Sequence, residues 1–198
     1  MCDTTGMAIR YFPQSEFVSM PWKNGGGITR EILRFPEGSV DWQWRLSIAD
    51  IAADGPFSAF PGCERSLTLL EGAGMSLQFA DRRCDLRPPY AACDFAGEET
   101  PDCVLHDGPT TDFNAIWRRD AVSIHVERRA MHGSLWCVPE PGVCWFVLLL
   151  SGSLVHKDDP DGLQCAPGDG LLLQPEPGAP RLMLEAYGEA LWLKITQR

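Results

Sequence analysis

The sequence predicts an all-β protein. Three observations carry that prediction: short runs in which apolar and polar residues alternate, a Gly or Pro interruption between most of these runs, and no long stretch with the 3.6-residue period of a helix. Such runs over the whole length suit a sandwich or barrel rather than a βαβ architecture. At 198 residues the chain is long enough for one large β domain or for two half-domains that share a core.

Residues 9–18 read as a short strand and a connection, with Pro13 limiting the ladder. Residues 21–32, PWKNGGGITREI, set three successive glycines among an indole, an ammonium, an amide, a hydroxyl and a carboxylate. Such a segment is too polar for core and is expected to be a loop and strand that meets something polar. Residues 29–35 followed by Pro36-Glu37-Gly38 predict a hairpin. In the next strand Trp42, Trp44, Leu46 and Ile48 alternate with Gln43, Arg45 and Ser47, so the polar face carries an arginine that points either inward or to solvent.

Asp54-Gly55-Pro56 breaks that strand, and residues 57–62 form a loop with two phenylalanines. Residues 65–70 and 75–79 flank Glu71-Gly72-Ala73-Gly74, which predicts a second hairpin with Arg65 at its entrance. A strand near Val104 and Leu105, a polar loop over 106–114, and further strands over 122–126, 143–150, 171–174, 181–185 and 191–195 complete the pattern.

The formal charge of -10, with its acids dispersed, argues against nucleic acid or an anionic membrane as the main partner. An anionic ligand must then be held by local arginines or lysines. No basic start followed by an apolar run is visible, and the longest apolar stretch, 143–150, is too short to span a bilayer. A soluble cytoplasmic protein is expected. None of the eight cysteines forms a pair with the spacing of a zinc knuckle, so reduced, buried thiols are expected.

Leu67-Thr68-Leu69-Leu70-Glu71-Gly72 resembles Val147-Leu148-Leu149-Leu150-Ser151-Gly152 at an offset of 80 residues, and each segment is followed by a proline at similar distance, Pro88 and Pro167. Strand, glycine turn and Pro167-Gly168-Asp169 before an apolar strand resemble the cupin arrangement. Two cupin-like halves, about 1–130 and 131–198, are expected in one compact chain. Metal-binding cupins carry closely spaced histidines, whereas His106, His125, His132 and His156 are dispersed, so neither a metal nor another cofactor is expected.

Residues 21–32, Trp44-Arg45-Leu46-Ser47-Ile48-Ala49, residues 54–62, Arg65 with residues 67–72, and Asp112-Phe113-Asn114 with Arg118 run in an order that resembles the HutD/Ves family. The resemblance covers the first two thirds of the chain. It implies a bicupin fold, a bacterial cytoplasmic location and no established enzymatic activity. It also implies, for the HutD branch, a link to histidine-utilisation operons and binding of a metabolite such as urocanate or formylglutamate; the Ves branch is linked to environmental stress.

Candidate ligand contacts follow from the residues. Lys23, Asn24, Thr29 and Glu31 are candidates for a pocket mouth, with the amides of Gly25 and Gly27 as donors to an anion; the alternative is a turn whose polar groups satisfy one another. Arg45, with Ser47 beside it, and Arg65 match a ligand carboxylate, unless Glu31, Glu64, Glu71 or Asp112 occupies them. Asp112 and Asn114, two apart, share a face and either contact ligand or fix a loop; Arg118 carries the same ambiguity. Trp22, Phe57 and Phe60 either stack on a planar ligand or belong to the core.

These residues point to a non-catalytic protein that binds a small carboxylate metabolite, with urocanate, formylglutamate and formate as the acids to test, and that modulates amino-acid catabolism. The rival is a metal-independent isomerase or hydrolase with Glu31 or Asp112 as general base. Exposed edge strands also allow a homodimer.

Overall fold

The computed structural model describes residues 7–22, 25–157, 159, 162–176 and 178–198. The all-β prediction holds: apart from one short 3-10 turn, Gln14–Glu16, the regular elements of the described residues are strands. They are β1 (Met7–Phe12), β2 (Val18–Pro21), β3 (Gly27–Phe35), β4 (Trp44–Ile51), β5 (Gly55–Pro56), β6 (Cys63–Glu71), β7 (Met75–Gln78) and β8 (Arg83–Leu86). Then follow β9 (Ala92–Ala96), β10 (Asp102–Leu105), β11 (Thr110–Arg118), β12 (Val122–Cys137), β13 (Val143–Val155), β14 (Gln164–Cys165), β15 (Gly170–Pro175) and β16 (Leu182–Gln197). No helix of the described residues is long and apolar enough to cross a membrane.

The chain forms two compact units. In the unit Phe17–Val122, a six-stranded sheet (β2-β3-β4-β11-β6-β9) and a four-stranded sheet (β5-β10-β7-β8) enclose a common core. Ile51, Leu67 and Leu69 from one sheet meet Met75, Leu77 and Leu86 from the other. Each such leucine contributes about 1.5–3 kcal/mol by leaving water. The other unit joins the chain through Glu16 to Ser123–Arg198 around the sheet β1-β15-β13-β16-β12, with β14 on β13; its core includes Val147, Leu149, Leu171, Leu184 and Trp192. The division thus falls after Val122, where the sequence suggested about 130. The first strand groups with the C-terminal unit because β1 pairs antiparallel with β15, Met7 opposite Pro175 and Phe12 opposite Gly170.

The 36–38 turn joins β3 to β4 as expected, with Gly38 at a φ of 70°. The second expected hairpin does not form. β6 and β7 belong to different sheets, so Glu71-Gly72-Ala73-Gly74 carries the chain across the sandwich. Glycine is required at both bends: φ is 97° at Gly72 and 114° at Gly74, and a Cβ would stand 2.6 Å from Pro109 O and 2.3 Å from Leu86 O. At the matching Gly152 the chain stays in its strand, because β13 continues to Val155 and Gly152 pairs with Gly188 of β16. The two segments are alike in sequence and differ in path.

Pro167-Gly168-Asp169 forms a tight turn that holds β1. The buried Asp169 carboxylate accepts the Tyr11 hydroxyl at 2.5 Å, the Gln14 N–H at 2.9 Å and the Ala166 N–H at 2.8 Å. Seven cysteines are free thiols, and Cys2 lies outside the described residues. Burial pushes the thiols of Cys93, Cys103 and Cys165 up to about 12.

Candidate functional site

β-strand alternation and register assemble the site on the inner face of the six-stranded sheet. In β11 the side chains of Thr110, Asp112, Asn114 and Ile116 share a face. Ile116 is paired with Arg45 of β4 on one side and Arg65 of β6 on the other, and Asn114 with Ser47 and Leu67. The two arginines therefore flank one strand, their backbones roughly 10 Å apart, two strand spacings. Toward Ile51 and Leu69 the same face runs into the core, where β11 contributes the buried Thr110 and Asp112; toward Arg45 and Arg65 it opens on the cavity.

A cavity of about 480 Å³ opens over the polar end. Trp22, Thr29, Arg45, Ser47, Phe60, Arg65 and Asn114, all candidates from the sequence, line it, together with Met20, Pro21, Ala49, Pro56, Phe57, Ser58 and Ile116. Trp22 is fixed by its indole N–H, which donates to Thr29 Oγ1 at 2.8 Å, and by Gly27 against its ring.

Both arginines are held from behind. Glu31 grips Arg34 with two bonds of 2.7 Å and accepts the Arg45 Nε–H at 2.6 Å. Burial opposes ionisation of Glu31, but the hydrogen bonds from Arg34 and Arg45 outweigh it and hold its carboxyl below the ordinary value. Arg65, only 6% exposed, donates from Nε to Asn114 Oδ1 at 2.8 Å and from a second nitrogen to the same oxygen. Its guanidinium lies 4.3 Å from the Phe57 ring centroid and 5.3 Å from that of Phe95. Burial lowers the Arg65 pKa to about 10, against the raising effect of Asp112 and aided by Arg45, so the group stays charged near neutrality.

Asn114 turns its amide NH₂ to Asp112 Oδ1. Asp112 is fully buried, its Oδ2 has no partner among the described residues, and burial pushes its carboxyl up to about 7 against the pull of Arg65 and Asn114. Arg65, Asn114 and Asp112 thus form a buried relay whose outer end reaches the cavity.

The other sequence candidates are placed differently. Glu31 and Asp112 stand behind the cavity wall and act on it through Arg45 and Asn114. Gly25 and Gly27 do not line the cavity: the Gly25 N–H donates to Trp22 O at 3.0 Å and Gly27 O accepts the Trp22 N–H at 2.9 Å, so this segment closes on itself. Lys23 and Asn24 lie outside the described residues. Arg118 is at the surface, bound to Asp41 at 2.6 Å and Asp120 at 2.8 Å beside a separate cleft, because opposite charges close by occupy its donors. His106 meets Ser76 at 2.7 Å in the four-stranded sheet, away from the cavity. Of the wall residues not singled out from sequence, Ala49 and Ile116 share strand parity with Ser47 and Asn114, which is the signal that finds them.

Similar proteins bear on this architecture. The HutD family model matches residues 14–192. The structure of HutD from Pseudomonas fluorescens SBW25, in a formate condition, is 30% identical, covering 96% of this chain and 100% of that one with a TM-score of 0.81. A conserved protein of unknown function from Pseudomonas aeruginosa PAO1 is 29% identical over 96% of this chain and 98% of its own, with a TM-score of 0.80. A cupin 2 conserved barrel domain protein from Leptotrichia buccalis shares the fold, with a TM-score of 0.61 at 10% identity over 96% of each chain. By the extent of the family match and the full-length likeness to a HutD structure, this chain belongs to the HutD family, whose name denotes histidine utilisation, and has a cupin-type fold.

Proposed function

We propose that this chain is a non-catalytic cytoplasmic protein whose cavity binds a small carboxylate metabolite, and that occupancy modulates amino-acid catabolism, specifically histidine utilisation. The observation that supports this reading best is the pair of arginines flanking Ile116 on one wall of the 480 Å³ cavity. A guanidinium has five N–H donors. Among the described residues Arg45 gives one nitrogen to Glu31, and Arg65 gives two to Asn114, so both retain donors for a ligand. A carboxylate matches that fork geometry. In a chain of net charge -10 such local cations are where an anion is held. Trp22, Phe57 and Phe60 add ring faces suited to a planar acid.

Calorimetric titration with urocanate, formylglutamate and formate tests the proposal. At least one acid is expected to bind, and Arg45→Gln and Arg65→Gln are each expected to weaken it tenfold or more. Failure of all three to bind a folded sample overturns it.

One observation favours a second reading, acid–base catalysis. Asp112 has a carboxyl pushed up to about 7, near the range of a general base, but it is fully buried behind Asn114, so this reading requires Asn114 to swing aside when a substrate binds. Glu31 is unsuited, being held ionised by two arginines. Turnover of a bound acid that Asp112→Asn abolishes while binding persists would select this reading.

A further inference from the structure

The unit containing Ser123–Arg198 has a cavity of its own, about 270 Å³, independent of the arginine site. Trp145 of β13 and Trp192 of β16 both line it. The register pairs Trp145 with Lys194 and Val147 with Trp192, so the two indoles are diagonal neighbours on one face. Their rings meet edge to face, 6.2 Å between centroids at 72°. Trp136 of β12, 52% exposed, stands at the rim.

Two features distinguish this hollow from an ordinary gap in packing. Trp192 is only 3% exposed, yet its indole N–H has no acceptor among the described residues. A buried donor left unpaired costs about 1–3 kcal/mol, so an acceptor is the missing partner. Cations also cluster here. The Arg129 guanidinium lies 5.3 Å from the Trp192 centroid and 5.9 Å from that of Trp145, and Lys194 Nζ lies 5.3 Å from Trp145. Each cation has an acid partner, Glu127 for Arg129 and Glu140 for Lys194, and of these four Arg129 and Glu140 line the cavity.

We infer that this cavity is a second ligand site, taking a small planar aromatic carboxylate whose ring lies against the tryptophans and whose oxygen accepts the Trp192 N–H once the shielded indole turns toward the cavity. Its volume suits one or two rings and is below the range of drug-sized ligands. Arg129, held by Glu127 through Nε and Nη2, keeps Nη1 as the charged donor that favours an acid over a neutral arene.

The test is a ¹H–¹⁵N correlation spectrum of the full chain titrated with benzoate and indole-3-carboxylate. Cyclohexanecarboxylate and benzyl alcohol serve as controls, and Trp192→Phe assigns the indole resonance. Both aromatic acids are expected to shift the Trp192 N–H saturably. Trp192→Phe, which keeps a ring, and Arg129→Gln, at an exposed position, should each weaken binding at least tenfold, while Arg65→Gln leaves it unchanged. Three results overturn the inference: no saturable shift with either aromatic acid, equal affinity for either control, or a shift that tracks protein dilution alone and so marks a second copy on this face.

Discussion

Glu31 Oε2 accepts the Nε–H of Arg45 at 2.6 Å, and with 13% and 16% of their side chains exposed the two are largely removed from water. This contact aims Arg45, so Glu31→Gln is expected to weaken binding of a carboxylate ligand about tenfold, roughly 1.4 kcal/mol. Loss of a hydrogen bond to a charged partner should also lower stability by about 1–3 kcal/mol. Because the folded carboxyl lies below its ordinary value of 4.5, its contribution is present above that pH and is lost as pH falls through the lower folded value. Urea midpoints at neutral and acid pH, compared between wild type and Glu31→Gln, check both effects.

Asp112 has the opposite sign. Its carboxyl rises from 3.8 to about 7 on burial, so the folded chain holds the proton more tightly than the unfolded chain. The stabilising contribution is complete below about pH 4 and is lost as pH rises toward 7. Asp112→Asn cannot titrate, and its stability difference from wild type should change across that window and level off above it. A difference that stays constant from pH 4 to 8 would remove this account.

Gly27→Ala is expected to destabilise the protein by about 1–3 kcal/mol, the usual cost of overpacking. The added Cβ would stand 2.5 Å from Asp50 O and 3.2 Å from the Trp22 ring, and the backbone atom cannot swing aside. Denaturant midpoints read the loss, and Trp22 fluorescence should change as its ring is displaced.

Asp169→Ala leaves the Tyr11 hydroxyl and two backbone N–H groups without their acceptor. A loss of about 2–4 kcal/mol is expected from removing several bonds to one charged group. Hydrogen exchange of β1 amides should accelerate in the variant more than that of β4 or β11.

Arg118→Ala serves as the contrast. Its partners Asp41 and Asp120 are 81% and 65% exposed, so the denaturation midpoint should not move measurably, and binding in the arginine-lined cavity should be unchanged.

Much of this site was legible where geometry is local. Period-two alternation set Arg45 and Ser47 opposite Trp44 and Leu46, and Asp112 with Asn114, because a strand's faces depend only on its own sequence. Which face looks inward depends on β3, β6 and β11, so the placement of Arg45 on the cavity wall was not. Likewise Glu71-Gly72-Ala73-Gly74 fits a hairpin or a crossing equally well; the choice is made by β10 and β8, which pair with β7 from later in the chain. The two readings of Arg118 could not be separated for the same reason, since Asp41, which engages it, lies 77 positions away. Met20 was not singled out because an apolar side chain carries no mark of the cavity it borders.

The clasp between Tyr11 and Asp169 spans 158 positions, which has a consequence for synthesis. β1 is among the first strands to be translated and its partner β15 among the last. At about 5–20 residues per second the strand waits roughly 8–30 s for a partner. During that interval every strand of Phe17–Val122 becomes available, so this unit can fold on the ribosome while an open strand precedes it. The fold therefore closes from its two ends, and the sheet that holds the tryptophan cavity is completed only when the final strands arrive.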